Sequence, residues 1–343
     1  MPRKLCCSEC FGDRQLRSRN IPDKSIQHGT CGFCGTGDVR LVEPTALATE
    51  FESLVNVYEV DPDGKTLVEW MKEDWHLFPE AKLDDARASQ LLAEILDDGN
   101  IVRKAFSPSS IYASDGLIQW ETLRDEMMFK NRWFLEREID RERLTGLLEM
   151  LIETEVPKIW YRARIRTGEN SFTISEMNAP PKHLASHGRA NPAGIPYLYL
   201  GSQPDTAAAE IRPHTGEVAC IADFTLPDIR VVDLRNPRGF VSPFVLGEAS
   251  KIGQLRADLP LLERLGDELT RPVLPQRAAI DYIPSQYLCE FIKKAGFDGV
   301  LYRSSVSEGI NLALFDPSKA VGGAVSLYNV TKVSVEVGAV SIS

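Results

Sequence analysis

The sequence predicts an α+β chain in three parts: a four-cysteine zinc ribbon over residues 1–42, an acidic, mainly helical region over 43–154, and a mixed β core with few helices over 155–343. Three observations predict it. Four cysteines fall as two Cys-x2-Cys pairs, and apolar residues between about 82 and 154 recur at helical spacing. Beyond Pro157 the chain breaks into short β-branched or aromatic runs bounded by Gly, Pro, Asp and Asn. At 343 residues it is too long for one average domain of about 150.

Composition excludes several classes. Hydrophobic residues at 43% and charged residues at 26% are ordinary for a globular protein, not for a disordered or fibrous one. The 39 Lys and Arg against 49 Asp and Glu give a net charge of -10, which argues against a protein whose whole surface binds nucleic acid. No apolar run approaches the roughly 18 residues of a membrane helix. Met1-Pro2-Arg3-Lys4 leads into no signal-like apolar stretch, so the expected location is cytoplasmic, without a membrane partner.

In a reducing compartment Cys7, Cys10, Cys31 and Cys34 read as metal ligands rather than disulfides. Two thiolates three positions apart on a tight turn reach one ion, and two such turns complete a tetrahedron. Four thiolates leave no open position, so the expected Zn2+ is structural. Gly32 and Gly35 supply turn freedom, and Cys6 is a spare that can exchange with Cys7. Arg14, Arg17 and Arg19 lie between the pairs, where they make either a weak nucleic-acid footprint or a solvated knuckle.

In the middle region, Asp84 or Asp85 caps a helix that runs towards Gly99, with Leu91, Leu92, Ile95 and Leu96 on one face. A second helical stretch runs from about Ile118 to Thr154. Its expected core includes Trp120, Leu123, Met127, Trp133, Phe134 and Leu148, and Arg and Glu alternate through 136–143 as an ion-paired outer face. In the last part, strands are expected at Ile159–Ile165, Pro196–Leu200, Val218–Leu226, Arg230–Leu234, Gly299–Tyr302, Asn311–Phe315 and Thr331–Val337. Helices are expected at Asp205–Arg212 and Ser285–Ala295. Too few helices alternate with the strands for a doubly wound sheet, and no Gly-x-Gly-x-x-Gly follows a strand.

Polar residues stand out in this part. Arg162 lies inside a strand, and Gly188-Arg189-Ala190-Asn191-Pro192 forms a loop that runs into Tyr197-Leu198-Tyr199-Leu200. Glu210 follows on the face of an alanine-rich helix, whose small residues let a ligand or another backbone come close. Tyr302-Arg303-Ser304-Ser305 precedes Gly309-Ile310-Asn311. On residue chemistry alone this is a site for an anionic ligand held by arginine, with one carboxylate nearby.

The order of Arg162, Gly-Arg-x-Asn-Pro-x-Gly, Leu-Tyr-Leu, Ala-x-Glu and Tyr-x-Ser before Asn-x-x-Leu-Phe resembles the RES domain over about residues 157–325. The cysteine pairs and acidic helices resemble the N-terminal extension of a longer subset of that family. The resemblance implies an ADP-ribosyltransferase-like fold and NAD+ as substrate. It further implies a toxin that causes growth arrest or antiviral defence by degrading NAD+ as a glycohydrolase or phosphorylase, with a separately encoded antitoxin as partner. Arg162, Tyr199, Glu210 and Ser304 match the family's catalytic positions. Arg189 and Asn191 match the loop that touches the dinucleotide, with Ala190 where Trp is common. Arg164 and Ser305 are adjacent look-alikes counted with the substrate-binding set.

The implied roles are chemically coherent. Loss of nicotinamide leaves positive charge on the ribose, which one carboxylate stabilises without protonating the leaving group, and no metal is needed. Arg162 and Arg189 would hold the diphosphate, Tyr199 would wall the nicotinamide and Ser304 would orient the ribose. Ala208 stands where arginine-modifying transferases carry a second carboxylate, which favours water or phosphate as acceptor. Two other readings stay open: ADP-ribose transfer to a protein or nucleic acid, and a non-catalytic nucleotide- or nucleic-acid-binding module. Each residue also has a structural alternative. Arg162 can pair with a local carboxylate, Glu210 with Arg212, Tyr199 can be core and Ser304 a satisfied strand hydroxyl. His214 reads as a surface residue, Cys220 and Cys289 as buried packing.

Overall fold

The computed structural model describes residues 4–334 and 337. Internal contacts divide the chain into two units, Met1–Trp120 with Asn236–Glu263, and Glu121–Arg235 with Arg264–Ser343. Among the described residues no helix is long and apolar enough to cross a membrane.

In the first unit β1 (Cys6–Cys7) and β2 (Gln27–Gly29) flank β3 (Val39–Val42), both antiparallel to it. Gly35 has φ +74° and closes the second cysteine turn, its N–H donating to the Cys31 carbonyl. Phe11, Phe51 and Phe244 form an aromatic core with ring centroids 5.2 to 5.9 Å apart. The helix Asp85–Leu96 starts where expected, with the Asp84 carboxylate accepting from Arg87 N at 2.8 Å. It stops at Asp97, in the left-handed region, before Gly99 is reached. A two-stranded sheet that the helical reading omitted pairs β4 (Tyr58–Thr66) with β5 (Ala105–Pro108). An irregularity between Val60 and Lys65 holds the turn-like Asp61-Pro62-Asp63-Gly64, which hides the strand in the sequence.

The expected helix from Ile118 to Thr154 is two helices, Gly116–Phe129 and Arg141–Glu149. Asn131 N–H closes back onto the Glu126 carbonyl, and the buried Glu126 carboxylate accepts from Glu136 N at 2.7 Å. The chain therefore leaves the helix axis, and Asp140 caps a fresh start. Trp120, Leu123, Met127 and Leu148 are buried as expected, but Trp133 and Phe134, expected in the core, are 78% and 81% exposed. The alternating charges through 136–140 lie outside any helix and so form no helical face.

The second unit is built on an eight-stranded mixed sheet. Its strands are β6 (Ile152–Glu153), β7 (Ile159–Ile165), β8 (Leu198–Gly201), β9 (Val218–Thr225), β10 (Val231–Asp233), β11 (Gly299–Arg303), β12 (Ile310–Leu314) and β13 (Val321–Asn329). They run in the order β13-β9-β7-β8-β12-β11-β10-β6. Among these described strands only β10 and β11 pair in parallel, joined by the long crossover that parallel strands require. Trp160, Leu198, Leu200, Phe224, Leu312 and Leu314 belong to the main core, which also takes in Cys220. Cys289 is buried too.

One expected strand is not formed. Residues 331–334 form no strand, and Val335 and Glu336 lie outside the described residues. The edge strand is instead Val321–Asn329, whose Gly322-Gly323 pair reads as a breaker. At that irregularity Ala324 N donates to the Asp223 carboxylate at 2.9 Å. A helix that no sequence expectation covers, Ala249–Thr270, continues through Pro260 for 22 residues. An internal proline signals a break and here does not make one.

Candidate active site

The helix Pro204–Glu210 lies on the sheet through Ala207, which packs with Ala163, Ala219 and Ile221. The small residues serve a backbone approach. A Cβ on Gly201 would stand 2.7 Å from Ala207 N, so glycine at the end of β8 lets the helix sit down on the strand. Beside it, β7 and β8 share a single residue pair, Tyr161 with Gly201. Where the two strands part, a cleft of about 520 Å³ opens. Arg162 and Ala163 line it from β7, Tyr199 and Gly201 from β8, and Glu210 from the helix.

Glu210 is held by two donors on one oxygen. Ser304 Oγ donates to Oε1 at 2.7 Å and Asn311 Nδ2 to the same atom at 2.5 Å. Ser304 Oγ in turn accepts from Val306 N and Ser307 N, at 3.2 and 3.1 Å. Ser305, its neighbour, lines the cleft. The pairing of Glu210 with Arg212 does not form among the described ion pairs.

Arg162 is the reverse case. No carboxylate pairs with it among the described residues, and its Nη1 is buried without a hydrogen-bond partner. Burial pushes its pKa down to about 10, with the Arg164 charge as a further cause, so it stays a cation at neutral pH. A buried, unpartnered guanidinium nitrogen at a cleft is costly unless an anion completes it. Arg189 lies over the Tyr282 ring at 5.2 Å and donates to the Arg271 carbonyl at 2.8 Å. Its loop is pinned from the helix Ile283–Lys294. Ser285 Oγ donates to the Arg189 carbonyl at 2.6 Å and Gln286 Nε2 to the Gly188 carbonyl at 2.8 Å.

The Tyr199 hydroxyl braces the same loop, accepting from Ala190 N at 2.9 Å and donating to Asn191 Oδ1 at 2.7 Å. Its pKa is raised by burial, which keeps the phenol protonated for that donation. A Cβ on Gly188 would strike both Asn191 Oδ1 and the Tyr199 hydroxyl, so the loop folds this way only around glycine.

The structure thus gathers Arg162, Arg189, Tyr199, Glu210 and Ser305 at one cleft, with Ser304 bonded to Glu210. It does not bring in two of the expected substrate-binding residues. Asn191 is buried behind the loop, bonded to Ser186 and Pro192 carbonyls. Arg164 lies on the Phe172 ring and donates to the Glu176 carbonyl. His214 is exposed outside the cleft. The cleft is also lined by Tyr302 and Asn311, which the sequence motifs include without a role, and by Tyr282 and Arg212, to which the sequence assigns no place in the site. A polar Asn inside an otherwise apolar strand, as in Ile310-Asn311-Leu312-Ala313-Leu314, was the available signal.

A family model described as the RES domain matches residues 159–330, half of the chain and all of this cleft's strands. The chain belongs to the RES-domain family. The RES domain here therefore comprises the cleft, its arginines and the Glu210 helix. A crystal structure of the M. tuberculosis MbcT–MbcA toxin–antitoxin complex aligns with a TM-score of 0.33 and 14% identity, covering 55% of this chain and 93% of that one. No curated protein matches.

Outside the RES domain, the sulfurs of Cys7, Cys10, Cys31 and Cys34 all lie within 4.8 Å of one another. Cys7 and Cys34 approach to 3.5 Å, and Cys10 and Cys31 to 3.4 Å. A tetrahedron of 2.3 Å bonds has edges of about 3.8 Å, so the four thiolates fit a metal ion. Cys6 stays out of the cluster, its Sγ turned to the Val42 carbonyl. Arg17 is paired with Glu9, and Arg14 lies over the Phe240 ring.

Proposed function

We propose that the RES domain breaks the nicotinamide–ribose bond of NAD+ and that water or phosphate takes the ADP-ribosyl group. The observation that carries this reading is the charge pattern of the cleft. Among the described residues lining it, Glu210 is the one carboxylate, against Arg162, Arg189 and Arg212. An unsatisfied guanidinium beside a lone carboxylate suits a diphosphate joined to a ribose that becomes cationic as its base leaves. Arg162 and Arg189 bind the phosphates, the ring of Tyr199 walls the nicotinamide, and Glu210 stabilises the oxocarbenium-like ribose. Nicotinamide departs neutral, so no general acid is required.

In this reading the protein is a cytoplasmic toxin that depletes NAD+, and a separately encoded antitoxin restrains it. The four thiolates hold a structural Zn2+, since an all-sulfur tetrahedral set suits zinc and leaves no position open for substrate. A chromatographic time course of purified protein with NAD+, beside Glu210→Gln, tests the activity. Nicotinamide and ADP-ribose, absent with the variant, are the expected result for water as acceptor; a requirement for added phosphate identifies phosphorolysis. Release only in the presence of a macromolecule would replace this reading with ADP-ribosyl transfer. Tight NAD+ binding without any release would replace it with a sensor.

A further inference from the structure

Ser304 and Asn311 converge on a single oxygen of Glu210. Asn311 is 4% exposed, sits on β12 between Gly201 of β8 and Tyr302 of β11, and lines the cleft. Its amide comes from a rigid central strand, whereas Ser304 stands at the head of the turn after β11. The Ser304 hydroxyl proton is committed to Glu210, and its oxygen accepts two turn N–H groups. That leaves Ser304 poorly placed to orient a ribose directly. Two donors on Oε1 fix the carboxylate in one rotamer, so that the second oxygen is the one presented to a ligand.

We propose that Asn311 is a positioning residue. Together with Ser304 it saturates Glu210 Oε1 and thereby selects Oε2 as the oxygen that meets the substrate. This rests on the NAD+-cleaving reading for its kinetics, though not for its geometry. A carboxylate free to rotate spends part of its time away from the reacting ribose, and misplacement of that kind lowers turnover more than binding. The phosphate grip of Arg162 and Arg189 does not involve Asn311, so affinity is expected to persist.

The test combines kinetics with a readout that needs no turnover. In the full-length protein, Asn311→Ala is expected to lower kcat about 10–100-fold, with KM within about twofold. Asn311→Asp, which sets a like charge against Glu210, is expected to lower it further. Asn311→Ser, which restores a donor, is expected to recover part of the loss. With Ser304→Ala the losses are expected to be non-additive, because both donors act on one oxygen. Separately, selective 15N-asparagine labelling is expected to show a downfield-shifted Asn311 side-chain amide proton that returns to an ordinary position in Glu210→Ala. Unchanged kcat in Asn311→Ala, equal loss in kcat and thermal stability without recovery by serine, or no shifted amide proton would each overturn the proposal. If the amide signal is present but the wild-type protein releases no nicotinamide, the activity reading has failed and the positioning contact stands.

Discussion

The four-cysteine cluster and the Glu210 cleft both gather polar side chains, but they complete their bonding in opposite ways. In the cluster each sulfur faces another sulfur, and four thiolates around one ion would leave nothing over. In the cleft Glu210 is satisfied on one oxygen while Arg162 keeps a buried N–H group without a partner. A set of groups that completes itself stabilises the chain holding it. A set left incomplete at an open cleft has binding energy to give to something else. On the proposed reading the contrast separates a structural site from a functional one without reference to which residues are chemically reactive, since thiolates are the stronger nucleophiles of the two.

The largest effect that would break this contrast is removal of the metal. The purified protein is expected to carry one zinc per chain by native mass spectrometry. Binding energies on the order of 10 kcal/mol couple such ions to folding, so chelation is expected to abolish hydrogen-exchange protection across residues 6–42. Metal-free thiols with the same protection would show that the ribbon stands on Phe11 and its aromatic neighbours instead. Next in size is Glu210→Gln, which keeps the shape and removes the charge. It is expected to cost at least about 10³-fold in NAD+ cleavage, equivalent to about 4 kcal/mol of transition-state stabilisation, with little change in melting temperature. A melting temperature that fell with activity would assign the carboxylate to structure.

Arg162→Met sharpens the comparison, because function and stability are expected to move in opposite directions. Losing the guanidinium is expected to raise the KM for NAD+ about 10–100-fold. The same change replaces a half-buried cation that keeps one buried N–H group unpartnered with an apolar side chain, expected to be neutral or to stabilise the protein by about 1 kcal/mol. Calorimetric unfolding beside steady-state kinetics checks both signs. A loss of stability would mean that an internal partner already completes Arg162.

What the sequence disclosed follows the same division. The cysteine pairs were readable because ligand spacing is local, and Ile159–Ile165 because its strand pattern is unbroken. Arg162, Arg189 and Glu210 stand out as charges among apolar or small neighbours, and the structure brings them to one cleft. Asn191 and Asn311 are adjacent in chemistry but opposite in placement: one braces a loop from behind, the other faces the carboxylate. Only tertiary placement distinguishes them, and for Asn311 it is set by partners about a hundred residues away in the chain. Pro260 inside a helix and Gly322-Gly323 inside a strand run against the local preference of each residue, so neither element is legible from its own residues.

The smallest expected effect concerns the region where the apolar periodicity outruns the helix. Trp133 and Phe134 fit the apolar repeat of a helix through 118–154, yet the helix ends at Phe129 and both rings stand in solvent. A ring that is already mostly in solvent is expected to contribute nearly nothing on replacement. Trp133→Ser with Phe134→Ser is therefore expected to shift stability by no more than about 0.5 kcal/mol, and tryptophan fluorescence at position 133 is expected to be red-shifted and readily quenched. Buried aromatic side chains cost about 3–5 kcal/mol when truncated, so the two arrangements differ by far more than the error of a denaturant titration. A loss of that size, with blue-shifted emission, would mean that the rings pack as the periodicity implied and that Glu126 does not turn the chain at Glu136.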